Sequence, residues 1–379
     1  MTPRVLVAGG VTSGHVLPAL AIFEALHDAG CPNTDLYYCG ARRGVETRLV
    51  PPTGVAHSFF EVSGFQRSWR RLGENLSFLP RLISATRQAR VVLANFRPSV
   101  VVSVGGYASL PAVRAARRAG IPVLVVSYDR RPGRASQYAA RRAMASLVAF
   151  DDSDLPRAEH VGAPVRRAIR RIDRERDRAA ARQRLDVPED RFLVTVMGGS
   201  LGSGVLNTAV LAMVRDHADD GSLAIHHVAG VRFVGEVEAS RPPLAATGLA
   251  YHVVGYEDRM ADVYAASDLV VGRGGAGTVA EIATVGVPAI LIPWSGAADD
   301  HQTGNVRWLS DSDAAVLMSE DAVEYGLGAM VSTLRADPTR LERLARNARR
   351  QGDLNRRAAV ADAILRVARS VHESDGTPA

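Results

Sequence analysis

Residues 267–305 read SDLVVGRGGAGTVAEIATVGVPAILIPWSGAADDHQTGN. Asp268 and the apolar run 269–271 predict a short strand of the kind buried in a parallel sheet. Arg273, Gly274, Gly275 and Gly277 break that run. Residues 278–285 resume with helical spacing until Gly286 and Pro288 stop it, and 287–293 is the next strand. The stretch is half of a βαβ unit whose glycine turn sits at a helix N-terminus, where unpaired N–H groups and the helix dipole favour an anion. A lone glycine turn serves packing as readily as binding. Two polar features point further, to a nucleotide sugar. Glu281, about one helical turn inside, offers a carboxylate to a vicinal diol such as a ribose. Gln302 and Asn305, which follow Asp299-Asp300-His301, present amides that both donate and accept and so suit sugar hydroxyls.

The chain has 379 residues, enough for a large core and, on length, for two domains. No apolar run approaches the about 18 residues of a membrane span, and the first strand begins without a charged and apolar leader, so no signal peptide is expected. Cys31 and Cys39 are the only cysteines. They are too few for a disulfide scaffold and lack metal-ligand spacing, which points to a reducing, cytoplasmic setting. All 46 basic residues are arginine. Residues 1–160 hold 20 Arg against 11 acids, and the remainder 26 against 29. A basic N-terminal half suits an anionic surface such as lipid headgroups, nucleic acid or a pyrophosphate.

From the N-terminus, a hydrophobic strand at 4–8 leads into GGVTSGHVLPALA at 9–21. This is a second phosphate-type loop, not a G-x-G-x-x-G dinucleotide fingerprint. His15 stands at its junction with the following helix, where the positive dipole end would lower an imidazole pKa and keep a neutral base; a histidine at a helix start can equally be structural. Strands are expected at 35–39, 56–62, 98–104, 121–127 and 147–150, alternating with helices, which implies an open parallel sheet covered on both faces. Between 59 and 92, Phe65, Trp69, Leu72, Leu76, Phe78 and Leu79 alternate with Arg67, Arg70, Arg71, Arg81, Arg87 and Arg90. Apolar groups rimmed by Arg suit a membrane interface, with two ordinary core helices as the alternative. RNA is disfavoured, because the aromatics lack the spacing of a stacking platform. VGAPVR at 161–166 reads as a linker. A second set of βα units opens at 192–197 with the turn GGSLGSGVLN, and further strands are expected at 223–228, 252–254 and 269–271. The fold class is α/β, with two facing Rossmann-like doubly wound domains: 1–162 for acceptor and membrane, 163–350 for a UDP-sugar, a C-terminal helix at 351–372, and a disordered tail at 373–379.

Taken in order, GGVTSGHVLPALA, GGYASLPA (105–112), GAPVR (162–166), GGSLGSGVLN (198–207), GRGGAGTVAEIATVGVPAILIPW (272–294) and DDHQTGN (299–305) resemble the MurG family. Its members transfer N-acetylglucosamine from UDP-GlcNAc to the undecaprenyl-linked muramoyl-pentapeptide, lipid I, giving lipid II. The resemblance covers nearly the whole chain. It implies the GT-B fold, acceptor on the first domain and donor mostly on the second, a last helix crossing back to the first, and a peripheral place on the inner face of an anionic cytoplasmic membrane beside other cell-wall enzymes. It also implies residue roles. Arg166 and Ser200 match positions near the donor diphosphate. Arg273 opens the family's R-S-G-A-type turn, with Gly274 where Ser is common. Glu281 matches the ribose-binding acid, and Gln302 with Asn305 matches the motif that reads the hexose. Glu257 lies where the backbone contacts uracil. Thr12, Ser13, Gly14, His15 and Tyr107 match acceptor or catalytic positions. One departure stands out: where the family carries H-E-x-N, this chain has Ser127, Tyr128, Asp129 and Arg130, so Asp129 is expected to replace the carboxylate and Arg130, with Arg131 and Arg134, to meet the lipid diphosphate.

The implied chemistry is an inverting displacement with His15 as general base and Asp129 as second candidate. Glycine turns, Arg166 and Arg273 would neutralise the leaving diphosphate without a metal; Asp299-Asp300 reads as a helix cap rather than a metal site. Other readings stay open: a GT-B transferase with another lipid or natural-product acceptor, a UDP-GlcNAc 2-epimerase, or a non-catalytic cell-wall scaffold.

Overall fold

A computed structural model of the chain describes residues 2–62, 78–199, 201–297 and 300–375. It divides into two compact units, Met1–Arg167 with Arg357–Ala379, and Ala168–Arg356. The division falls at the C-terminal edge of VGAPVR, a few residues later than the sequence reading puts it.

The first unit is built on seven parallel strands: β1 (Val5–Ala8), β2 (Leu36–Ala41), β3 (Ala56–Phe60), β4 (Val100–Ser103), β5 (Val123–Ser127), β6 (Ala145–Val148) and β7 (Ala158–His160), in the order β3-β2-β1-β4-β5-β6-β7. VLVA, VVVS and VLVVS are buried along their whole length, as strands covered on both faces must be. Order reverses between β1 and β4, and ligands of doubly wound sheets sit beyond the strand C-termini at that switch point. The helix Phe78–Phe96 covers the sheet with Leu82, Ala85, Ala89 and Leu93, one stripe at helical spacing. Leu79, Ile83, Val91 and the arginines Arg81, Arg87 and Arg90 face outward. This is the described part of the basic-apolar segment; Phe65, Trp69, Leu72, Leu76 and Arg67, Arg70 and Arg71 lie outside the described residues.

The second unit has six parallel strands: β8 (Phe192–Met197), β9 (Leu223–Val228), β10 (Ala250–Val254), β11 (Leu269–Arg273), β12 (Ala289–Ile292) and β13 (Val316–Leu317), in the order β10-β9-β8-β11-β12-β13. Its switch point lies between β8 and β11. β7 and β13, with three and two residues, were not expected: edge strands that short carry no apolar run to reveal them.

The last helix is Ala359–Asp375, shorter at its start than the expected 351–372 and continuing past 373. Gly352, the short turn of helix Asp353–Arg356, and Ala358 at φ 53° interrupt the pattern before it. Val360, Ile364, Leu365 and Ala368 are buried, the helix packs on helix Ser13–Asp28 and β4, and Arg366 pairs with Glu159 of β7 at 2.5 Å. No helix among the described residues is long and apolar enough to cross a membrane.

Candidate active site

At the first switch point the chain leaves β1 through Gly9, Gly10 and Val11 and enters helix Ser13–Asp28. Gly10 has φ 141° and Val11 φ 84°. A β-branched residue in that region costs about 1–3 kcal/mol and persists only where its surroundings over-determine it. Three side chains do so. The Tyr38 hydroxyl donates to the Gly9 carbonyl at 2.8 Å. Glu46, fully buried, accepts the Val11 N–H on both oxygens, at 2.9 and 3.0 Å, and the Ala41 N–H at 2.9 Å. The Tyr128 hydroxyl donates to the Gly14 carbonyl at 2.5 Å and to Val104 at 3.3 Å. Pro18 explains the Gly14 bond: it lies inside the helix and has no N–H for the carbonyl four residues back, and Tyr128 supplies the missing donor. At this phosphate-type loop the chain's own carboxylate takes the Val11 N–H, one of the donors that an anionic ligand would use.

His15 occupies the first turn of the helix, half-buried. Its Nδ1 lies 3.1 Å from the Thr12 hydroxyl, and its ring sits against the turn Gly105-Gly106 after β4 and edge-on to Tyr128, with centroids 6.5 Å apart. A Cβ on Gly105 would come within 3.2 Å of the imidazole. Burial lowers the His15 pKa, opposed by the charges of Asp129 and Glu46. The imidazole is therefore neutral near pH 7, as expected, with burial rather than the helix dipole leading. With Nδ1 engaged by Thr12, Nε2 is the nitrogen left for a proton. Ser13 is half-buried, Gly14 is exposed and Tyr107, half-buried, follows the Gly105-Gly106 turn. Thr12, His15, Tyr107 and Asp129 thus gather around the ends of β1, β4 and β5. Arg130 is held by Asp152, its Nε at 2.9 Å, rather than standing ready for a diphosphate. Arg166 belongs to this unit and is tied to Glu24 of helix Ser13–Asp28, at 2.7 Å.

At the second switch point, Gly198-Gly199 follows β8 and Gly274-Gly275 follows β11. Ser203 caps helix Gly204–Asp216; Ser200 lies outside the described residues, as does Asp299. Arg273, expected at a diphosphate, is buried. Its guanidinium donates to Ser203 Oγ at 2.6 Å and pairs with Glu320, and it lies 3.5 Å from the carbonyls of Ile292 and Pro293. Glu320 also accepts the Ser295 N–H at 3.0 Å. Burial opposes ionisation of Glu320, but the Ser295 and Arg273 bonds outweigh it and hold its pKa below the ordinary value. Arg273 is a clasp joining the ends of β8, β11 and β12 rather than a free cation. Asn305, expected to read a hexose, is fully buried and donates to the Gly274 carbonyl at 3.2 Å. That close approach makes Gly274 obligatory: a Cβ there would lie 2.8 Å from the Gln302 carbonyl. Glu257 turns inward, accepting from Arg259 N–H at 2.8 Å and lying 3.1 Å from His226 Nε2.

Two further residues from the sequence list, Gln302 and Glu281, are half-buried rather than fully enclosed. The Gln302 side-chain oxygen accepts from Trp294 N–H at 2.9 Å, which leaves the amide nitrogen as donor. Glu281, half-buried on helix Ala276–Val285, accepts the Tyr264 hydroxyl at 2.8 Å on one oxygen. That helix begins at Gly275, and among the described residues no side chain caps it, which suits its first N–H groups to an anion. A Cβ on Gly199, Gly275 or Gly277 would meet nothing within 4 Å. Sequence reasoning missed Tyr38, Glu46, Tyr128 and Glu320 as organisers of these turns. None carries a local signal, since each acts on backbone distant in sequence.

Comparison with known proteins accords with this layout. The chain matches the glycosyltransferase family 28 N-terminal domain over residues 5–148 and the family 28 C-terminal domain over residues 193–364. It is 36% identical over 361 residues to a protein of Clavibacter sepedonicus named UDP-N-acetylglucosamine–N-acetylmuramyl-(pentapeptide) pyrophosphoryl-undecaprenol N-acetylglucosamine transferase, covering 95% of each chain. A protein of the same name from a Nocardioides species is 38% identical over 342 residues, covering 89% of this chain and 91% of the relative. The crystal structure of Acinetobacter baumannii MurG superposes with a TM-score of 0.73 at 26% identity, over 96% of this chain and 99% of that one. The chain belongs to glycosyltransferase family 28 and, within it, to the MurG family of UDP-N-acetylglucosamine–N-acetylmuramyl-(pentapeptide) pyrophosphoryl-undecaprenol N-acetylglucosamine transferases.

Proposed function

We propose that this glycosyltransferase moves N-acetylglucosamine from UDP-GlcNAc to the 4-hydroxyl of the N-acetylmuramoyl unit of lipid I, with inversion, giving lipid II. The observation that carries the reading is the match of both family domains to relatives of that name over nearly their full length. The donor is assigned to the second unit. There the N-terminus of helix Ala276–Val285, which no side chain among the described residues caps, would meet the diphosphate as negative charge develops on it, Glu281 the ribose, and the Gln302 amide the hexose. The acceptor is assigned to the first unit, with His15 Nε2 taking the proton of the attacking hydroxyl. Asp129 supports the imidazolium that forms. Arg273, Asn305 and Glu257 are assigned to holding the donor turns, and Arg130 and Arg166 to ion pairs within the first unit. Leu79 and Ile83 among Arg81, Arg87 and Arg90 suit contact with an anionic bilayer.

The test is transfer of label from UDP-GlcNAc to a short-chain lipid I analogue, with and without EDTA. A β-linked disaccharide lipid, formed equally in EDTA, is the expected product. Tight UDP-GlcNAc binding without transfer would move the protein to another acceptor. Release of UDP and N-acetylmannosamine would make it an epimerase.

A further inference from the structure

We infer that Glu46 is a positioning residue of the reaction: its buried carboxylate is a built-in anion that locks the β1 loop and sets His15 for proton transfer. The inference rests on the reading of His15 as base and goes beyond it. The carboxylate is fully buried, yet among the described residues it pairs with no basic side chain and is held by the N–H groups of Val11 and Ala41. Burying a charge on backbone donors alone is costly unless they are well aligned, and here the surroundings are shaped around it. A Cβ on Gly44 would lie 2.0 Å from its Oε2, and one on Gly10 2.2 Å from its Oε1. Gly10 and Gly44 thus make room for a carboxylate, not for a substrate. The bond to Val11 holds that residue at φ 84°, four residues before His15.

The charge acts as well as the geometry. The groups facing His15 are the Thr12 hydroxyl, the Gly105-Gly106 backbone, Tyr128 and the two carboxylates, Asp129 beyond β5 and Glu46 beyond β2. Both carboxylates favour the imidazolium, the form His15 takes once it has accepted the acceptor's proton. Asp129 makes the larger contribution, and Glu46, which has no solvent contact, adds to it from inside the fold. A neutral Gln at 46 would remove the Glu46 contribution. It would also turn at least one N–H donor toward Val11 or Ala41.

The test compares wild type with Glu46→Gln in the full chain by three readouts. Hydrogen exchange at the Val11 amide should rise about tenfold or more once its acceptor is compromised. The His15 titration, followed by NMR with labelled histidine, should move down. The acid limb of the pH–rate profile should follow it downward, while acceptor kcat/KM falls about tenfold or more and UDP-GlcNAc affinity holds. Unchanged exchange and titration in folded Glu46→Gln would overturn the inference, as would a parallel loss of donor affinity. Should Glu46→Gln fail to fold, Val11→Gly takes its place. It frees the backbone and keeps the charge, so acceptor kcat/KM should fall with the titration fixed; unchanged kcat/KM would overturn the locking role. Exchange and titration need no substrate, so failure to glycosylate lipid I would overturn the proposed function and leave these two readouts standing.

Discussion

The two glycine loops at the two switch points look alike in sequence and differ in what fills them. In GGVTSGHV the Val11 N–H is taken by Glu46, and the carbonyls of Gly9 and Gly14 by Tyr38 and Tyr128. In GRGGAG the fixing group is a cation: Arg273 grips Ser203 and Glu320 and leaves the N–H groups of helix Ala276–Val285 uncapped. The first loop is pinned at Val11 by an internal anion and presents a neutral imidazole. The second is pinned at Arg273 by a cation pair, and among the described residues neither following helix has a side-chain cap. A glycine-rich turn before a helix is a potential anion site; whether it is an actual one depends on whether a distant side chain has already taken its donors.

The largest effect should come from the first loop. His15→Ala removes the neutral base assigned to the reaction, and kcat should fall about 10²–10⁴-fold while UDP-GlcNAc affinity, assigned to the other unit, holds. Single-turnover kinetics with saturating donor check this. Turnover within a factor of two of wild type would pass the base role to Asp129. Next is Arg273→Ala. If Arg273 is a clasp, its loss strands Glu320 and the carbonyl ends of β12, and the second unit should lose about 3 kcal/mol, read from denaturant unfolding. The pH dependence sharpens the comparison. Glu320 is held below its ordinary pKa, so its contribution is present above the unfolded carboxylate pKa and is lost as pH falls through the folded value. That acid-side loss should flatten in Arg273→Ala. Unchanged stability with weakened donor binding would return Arg273 to the role of a diphosphate ligand.

The parallel sheets were legible because strands such as VLVA, VVVS and AILI are continuous apolar runs between glycine turns, and that pattern survives without tertiary information. So were the turns themselves. Legibility ended where a residue's role depends on what folds against it. Asn305 and Gln302 share a motif, but helix His301–Ser310 turns Asn305 inward onto the Gly274 carbonyl and leaves Gln302 half-open. Arg273 looked like a free cation because Glu320 is 47 residues away. Glu46 looked like nothing at all, being one carboxylate in GARRGVET. The substitution of Gly274 for the common Ser has a packing reason, since the backbone of Gln302 leaves no room for a Cβ.

The smallest effect is the most discriminating, because two glycines three residues apart should answer oppositely to one methyl group. At Gly274 a Cβ would lie 2.6 Å from Val306 Cγ2 and 2.8 Å from the Gln302 carbonyl, so Gly274→Ala should cost about 1–3 kcal/mol. At Gly277, in the first turn of helix Ala276–Val285, a Cβ meets nothing within 4 Å. Gly277→Ala should therefore stabilise the second unit by about 0.5 kcal/mol through the unfolded chain. The same methyl stands where a diphosphate would approach the open N–H groups, so UDP-GlcNAc affinity should fall severalfold even as the melting temperature rises. Calorimetric titration and thermal melts on the one variant read both. A gain in stability with affinity unchanged would mean that the open turn faces no ligand, and the second loop would be as much scaffold as the first.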